Sequence, residues 1–153
     1  MFKKILVAFD GSDQSKRALH YSLVLSEKFN SELFILTVNQ KSVLPMFNSE
    51  EDLDGEEIDS ELIEKYWKAK KEYYKNILSE AEEITKRDWS SVKCVTLLVD
   101  GRPSTVILST AQRYEVDLIL LGSQGLGNLS GWILGSTSRS VVEHSKRPVF
   151  IVK

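Results

Sequence analysis

Val116-Asp117-Leu118-Ile119-Leu120-Leu121-Gly122-Ser123-Gln124-Gly125 carries an apolar run straight into two glycines, and nine residues further on Gly135-Ser136 opens a helical pattern. A run of this kind, apolar without alternation, suits a strand covered on both faces, the usual condition of strands in a parallel sheet. Glycines at its end let backbone N–H groups turn toward a bulky anion and approach it closely. The helix start at Ser136 adds a hydroxyl, N–H groups without intrahelical partners and the favourable end of the helix dipole.

Working outward, Ile5-Leu6-Val7-Ala8-Phe9 is a second such run, and it stops at Asp10-Gly11-Ser12-Asp13. A helix follows, with Ala18, Ser22, Leu25 and Phe29 on one face and Asn30-Ser31 at its close. Leu33 to Val38, Val92 to Val99 and Val149 to Val152 read as further strands. Between them lie a long helix bearing Ile63, Tyr66, Trp67, Tyr74, Ile77, Ala81 and Ile84 on one side, and a shorter one opened by Pro103 and bearing Ile107, Leu108, Ala111 and Tyr114. Glu61–Lys65, Glu64–Lys68 and Glu82–Lys86 are spaced as favourable pairs on the wet face of the long helix. The alternation predicts one α/β domain over residues 1–153: a doubly wound, five-stranded parallel sheet with helices on both faces. Ligands of such sheets sit beyond the carboxyl ends of the strands, where the winding reverses. Only the first and fourth strands end in chemically unusual residues, at Asp10 and Gly122. Placing these two side by side gives the order 3-2-1-4-5.

Residues 40–60 are read as a solvated insertion, because Pro45 and Gly55 stand among Glu50, Glu51, Asp52, Asp54, Glu56, Glu57 and Asp59. The spacing Glu50, Asp52, Asp54, Gly55, Glu61 imitates a calcium loop. Glu50 replaces the usual first aspartate, Glu57 fills a normally apolar place and Pro45 interrupts the entering helix, so the solvated reading is preferred. A net charge of −2 over 153 residues lacks the footprint of a nucleic-acid binder. The apolar run after Lys3-Lys4 is too short for a signal sequence or a membrane span. Cys94 is the one cysteine and fits a reducing compartment, so the cytoplasm is expected. His20 and His144 have no metal-ligand spacing. Trp67, Tyr73 and Tyr74 read as core or groove residues, and Trp132 as loop packing.

The spacing Gly122-x2-Gly125-x9-Gly135-Ser136 resembles the ATP-binding signature of the universal stress protein family. The likeness extends over nearly the whole chain: the opening Ile5 to Ser12, Gly101-Arg102-Pro103, Asp117 to Gly122, and the ending Arg147-Pro148-Val149-Phe150-Ile151-Val152. It implies a Rossmann-like fold of the adenine nucleotide alpha hydrolase type and a site for ATP, with magnesium. Ala8, Phe9 and Asp10 would then face the adenosine, Asp10 also being the candidate for a metal on the nucleotide. Val38 would meet the adenine through its backbone, and Leu121 and Gly122 the ribose. Gln124, Gly125, Gly135, Ser136, Thr137 and Ser138 would surround the phosphates. One departure is Gln124, where ATP-binding relatives often carry a cation. No Lys or Arg lies between Gly122 and Ser138, so phosphate binding would rest on backbone donors.

Rival readings of the loop fail on residues. Gly127 is followed by Asn128 rather than the Lys of a P-loop. Gly125-Leu126-Gly127-Asn128-Leu129-Ser130 ends in Ser and lacks the later strand-end acid of a dinucleotide site. The kinase motifs are missing. Only Asp10 and Gln124 are candidate hydrolytic parts, so the expected function is a nucleotide-responsive dimeric switch in the stress response, with an unidentified protein partner and no catalytic residue. The alternatives are a slow magnesium-dependent ATPase and a structural dimer that holds no nucleotide in the cell. Val149, Phe150, Ile151 and Val152 form an apolar strand at the sheet edge, the expected homodimer contact. Neither nucleic acid nor membrane is an expected partner.

Overall fold

The computed structural model describes residues 1–40, 60–125 and 134–153. The acidic segment and Trp132 lie outside the described residues. In chain order the elements are β1 (Lys4–Ala8), α1 (Asp13–Phe29), β2 (Glu32–Asn39), α2 (Ser60–Asp88), β3 (Cys94–Asp100), α3 (Pro103–Arg113), β4 (Leu118–Gly122), α4 (Ser136–His144) and β5 (Val149–Val152). The strands form one five-stranded sheet in the order β3-β2-β1-β4-β5, and every pairing is parallel. This is the order argued from Asp10 and Gly122.

β1 lies at the centre because both its faces are apolar. Ile5 and Val7 pack on one side with α1 and α2, and Leu6 packs on the other with Val106 and Ile107 of α3 and Val141 of α4. Ile5, Leu6 and Val7 are fully buried, each contributing about 1.5–3 kcal/mol relative to an exposed side chain. α1 starts at Ser12, whose side chain accepts the N–H of Ser15 at 3.2 Å. It stops at Asn30 in the left-handed region, where the N–H of Ser31 returns to the carbonyl of Ser26. Its buried face is Ser15, Ala18, Leu19, Ser22, Leu23 and Ser26. The expected stripe ending in Leu25 and Phe29 is therefore rotated. Phe29 stays largely exposed and meets Phe2 edge-on instead. Small serines replace bulk on the buried face, which lets α1 lie close to the sheet.

Element ends also shift. The third strand begins at Cys94, since the N–H of Val92 is spent in a turn on Trp89; the fourth begins at Leu118. On α2 the pairs Glu61–Lys65 and Glu82–Lys86 close at 2.8 and 2.9 Å, whereas Glu64 and Lys68 do not pair with each other. Tyr73 is exposed rather than in the core.

Candidate functional site

At the carboxyl ends of β1, β2 and β4, where the strand order reverses, lies a cleft of about 340 Å³. Its first wall is the end of β1. The N–H of Phe9 bonds the carbonyl of Leu36, and Thr37 Oγ1 donates to the carbonyl of Phe9, both at 2.8 Å. These bonds fix the backbone so that Asp10 stands at the mouth. Asp10 Oδ1 accepts the N–H of Ser12 at 3.0 Å, shaping the turn into α1. Ser12 caps that helix.

The second wall is the pair of glycine segments. The N–H of Gly135 bonds the carbonyl of Ser123 at 2.8 Å, and the N–H of Ser123 bonds the carbonyl of Val152 at 2.7 Å. Both ends of the loop are thereby clasped to the sheet. Gly122 has a packing reason of its own: a β-carbon there would lie 2.7 Å from Gln14 Cβ and 3.0 Å from the Gln14 carbonyl carbon. Only glycine lets β4 end so close to the first turn of α1.

α4 enters the same space by its N-terminus. Gly135 is its N-cap and supplies no side-chain bond, and the first intrahelical bond is Arg139 N–H to the carbonyl of Gly135. The N–H groups of Ser136, Thr137 and Ser138 therefore have no partner within the helix, and the dipole end favours an anion. Ser138 also ties the helix to the sheet, since its Oγ donates to the carbonyl of Gly122 at 2.7 Å. That hydroxyl proton is already used, which leaves Ser138 its backbone N–H for a ligand.

All the residues expected from the sequence line this one cleft: Ala8, Phe9, Asp10, Val38, Leu121, Gly122, Gln124, Gly125, Gly135, Ser136, Thr137 and Ser138. Ser15, Leu36, Gln40, Tyr74, Pro103 and Ile107 line it too and were missed. Pro103 and Ile107 carry an ordinary helix-start and core signal. Tyr74 comes from α2, and only its place on the apolar side of that helix hinted at it. Burial raises the Tyr74 phenol above its usual pKa, and Tyr73, Asp10 and Tyr66 add to the effect. Among the described lining residues Asp10 is the sole charged group, and none is Lys, Arg or His. The cleft thus has an apolar end (Ala8, Leu36, Val38, Ile107, Leu121) and an end of glycine and serine backbone.

Fold and cleft together define a doubly wound α/β domain with a glycine-walled ligand site at its topological switch point. The chain belongs to the universal stress protein family, whose model matches residues 1–153. Universal stress protein YxiE of Bacillus subtilis is 36% identical over 160 residues, covering 100% of both chains. Among solved structures, universal stress protein UspA of Lactobacillus plantarum superposes with a TM-score of 0.80 at 23% identity, over 99% of this chain and 97% of that one. A universal stress protein in complex with cAMP has a TM-score of 0.64 at 24% identity, over 99% and 96% of the two chains. At such identities the two structures establish the shared fold.

Proposed function

We propose that the cleft binds ATP and that the protein works as a nucleotide-responsive dimer in the stress response, without a catalytic residue of its own. The observation that carries this reading is the division of the cleft. Ala8, Leu36, Val38, Ile107 and Leu121 offer an adenine ring an apolar bed, and Gly125, Gly135 and the N-terminus of α4 offer phosphate oxygens backbone donors. The cAMP complex of a neighbour with this fold supports an adenine nucleotide in particular. Magnesium would ride on the phosphates, with Asp10 as the carboxylate to meet it, since Asp10 is the acid among the described lining residues. Donors without a cation give the site modest affinity, suited to sensing rather than permanent retention.

The dimer contact assigned in this reading is β5, an edge strand on which Phe150 is 43% exposed beside Tyr21 of α1. The cytoplasm fits the single cysteine, whose thiol is pushed up to about 11 by burial and stays protonated. Among the described residues no helix is long and apolar enough to cross a membrane. The experiment is nucleotide analysis of protein purified without dialysis: co-purified ATP or ADP supports the reading, and empty protein that also fails to take up added ATP refutes it.

A further inference from the structure

On the opposite flank from α2, α3 and α4 pack side by side over the sheet, and a groove of about 880 Å³ runs between them. It shares no lining residue with the cleft already described. Arg102, His144, Lys146 and Arg147 line it, and among the described residues no carboxylate does. In a chain of net charge −2 that local balance is unusual. None of Arg102, Lys146 and Arg147 forms an ion pair with any described residue. Asp117, whose carboxyl feels the charge of Arg147, accepts the backbone N–H groups of Lys3 and Lys4 at 2.7 and 3.0 Å. His144 Nδ1 donates to the carbonyl of Ser140 at 2.8 Å.

The cations stand at opposite ends. Arg102 precedes α3 and lies at the carboxyl edge of the sheet; Lys146 and Arg147 follow α4 and lie at the amino edge. α4, which runs from the one edge toward the other, has 9 residues, a length of roughly 14 Å at a helical rise of about 1.5 Å per residue. Between them the lining is mostly hydroxyl and amide side chains, with half-buried Leu108 and buried Ala111 as its apolar members. Among the described residues no Phe, Tyr or Trp side chain lines the groove, which argues against the stacking platform of a single-stranded nucleic-acid site.

We propose that this groove docks an acidic peptide segment of a partner protein in extended conformation. At about 3.3 Å per residue, about four residues span the distance between the two basic ends. The segment that fits has carboxylates four positions apart and an apolar side chain between them over Leu108. Binding is independent of the nucleotide cleft.

The test uses a fluorescein-labelled heptapeptide, Glu-Glu-Ala-Leu-Ala-Glu-Glu, titrated with the full chain and followed by fluorescence anisotropy. Saturable binding is expected, weakening as salt rises. Arg102→Glu with Lys146→Glu should weaken it at least tenfold, and Lys146→Glu alone at least threefold. Lys28→Glu with Lys71→Glu changes net charge equally on the other flank and should leave it unchanged. Thermal melts of all variants confirm that each is folded. The proposal is overturned if the parent shows no saturable binding, if the distant pair weakens binding as much as the groove pair, or if an octathymidylate binds more tightly than the peptide.

Discussion

Asp10 and Gly125 are fitted to each other across the mouth of the cleft: a β-carbon on Gly125 would lie 2.7 Å from Asp10 Oδ2. Asp10 Oδ1 is held by the N–H of Ser12, so the carboxylate cannot swing aside without opening the turn into α1. Gly135 is different, because its β-carbon would meet Gln124 Cα and the Ser123 carbonyl at an ordinary 3.5 Å. Gly125→Val is therefore expected to displace Asp10 and reduce ATP affinity by about a hundredfold, the loss of two contacts of about 1.5–3 kcal/mol each. Gly135→Ala should leave the melting temperature of the free protein within a degree or two. Calorimetric titration with ATP alongside thermal melts checks both, and parental affinity in folded Gly125→Val would remove Asp10 and Gly125 from the site.

Gly122→Ala tests packing rather than binding. The new methyl group would press on Gln14 and on the backbone N of Ser15, 3.1 Å away. Backbone in the first turn of a capped helix yields little, so overpacking should cost about 1–3 kcal/mol. Urea denaturation measures this; an unchanged midpoint would mean that α1 can move away from β4 freely.

The strand order was legible because the two strands with odd endings, at Asp10 and Gly122, are neighbours at a switch point. The glycine side of the cleft was legible for a related reason: its residues are nearly contiguous, and their types are needed for backbone approach. The remaining wall was not. Tyr74, Pro103 and Ile107 reach the cleft from α2 and α3, and in sequence each looks like any half-buried helix residue. The α1 face was misjudged because Ser15 and Ser26 are buried there, and a serine carries no hydrophobic signal. What buries them is the close approach of α1 to the sheet, a tertiary constraint that periodicity does not encode.

Asp117 makes a prediction with a defined pH dependence. The N–H of Lys4, then that of Lys3, with the charges of Arg147 and Lys3, hold its carboxyl below the usual range. Because the folded pKa lies below the unfolded value of about 3.9, the stabilisation is complete above that value and is lost as pH falls through the folded pKa. Asp117→Asn should lower the melting temperature at pH 7 by an amount corresponding to under about 1 kcal/mol for so exposed a group. The gap should close as pH falls through the folded pKa. A gap that stays constant with pH would assign it to something other than charge.

Phe150 should mark the dimer contact. It lies on the edge strand β5 with its ring centroid 6.2 Å from that of Tyr21, and Val24 is also exposed on α1. Phe150→Asp is expected to shift the protein from dimer to monomer in multi-angle light scattering, with its circular dichroism spectrum preserved. A dimer of undiminished stability would move the interface to another surface.

The central claim is that the cleft at the switch point is an adenine nucleotide site. β2 ends in Thr37-Val38-Asn39 and is followed by Gln40, without the acid that holds a dinucleotide ribose. Titration calorimetry of the parent protein with ATP, and separately with NAD, tests the claim most directly. The account predicts a single saturable ATP site with no measurable NAD binding; NAD binding more tightly than ATP, or no heat from ATP at any accessible concentration, would contradict it.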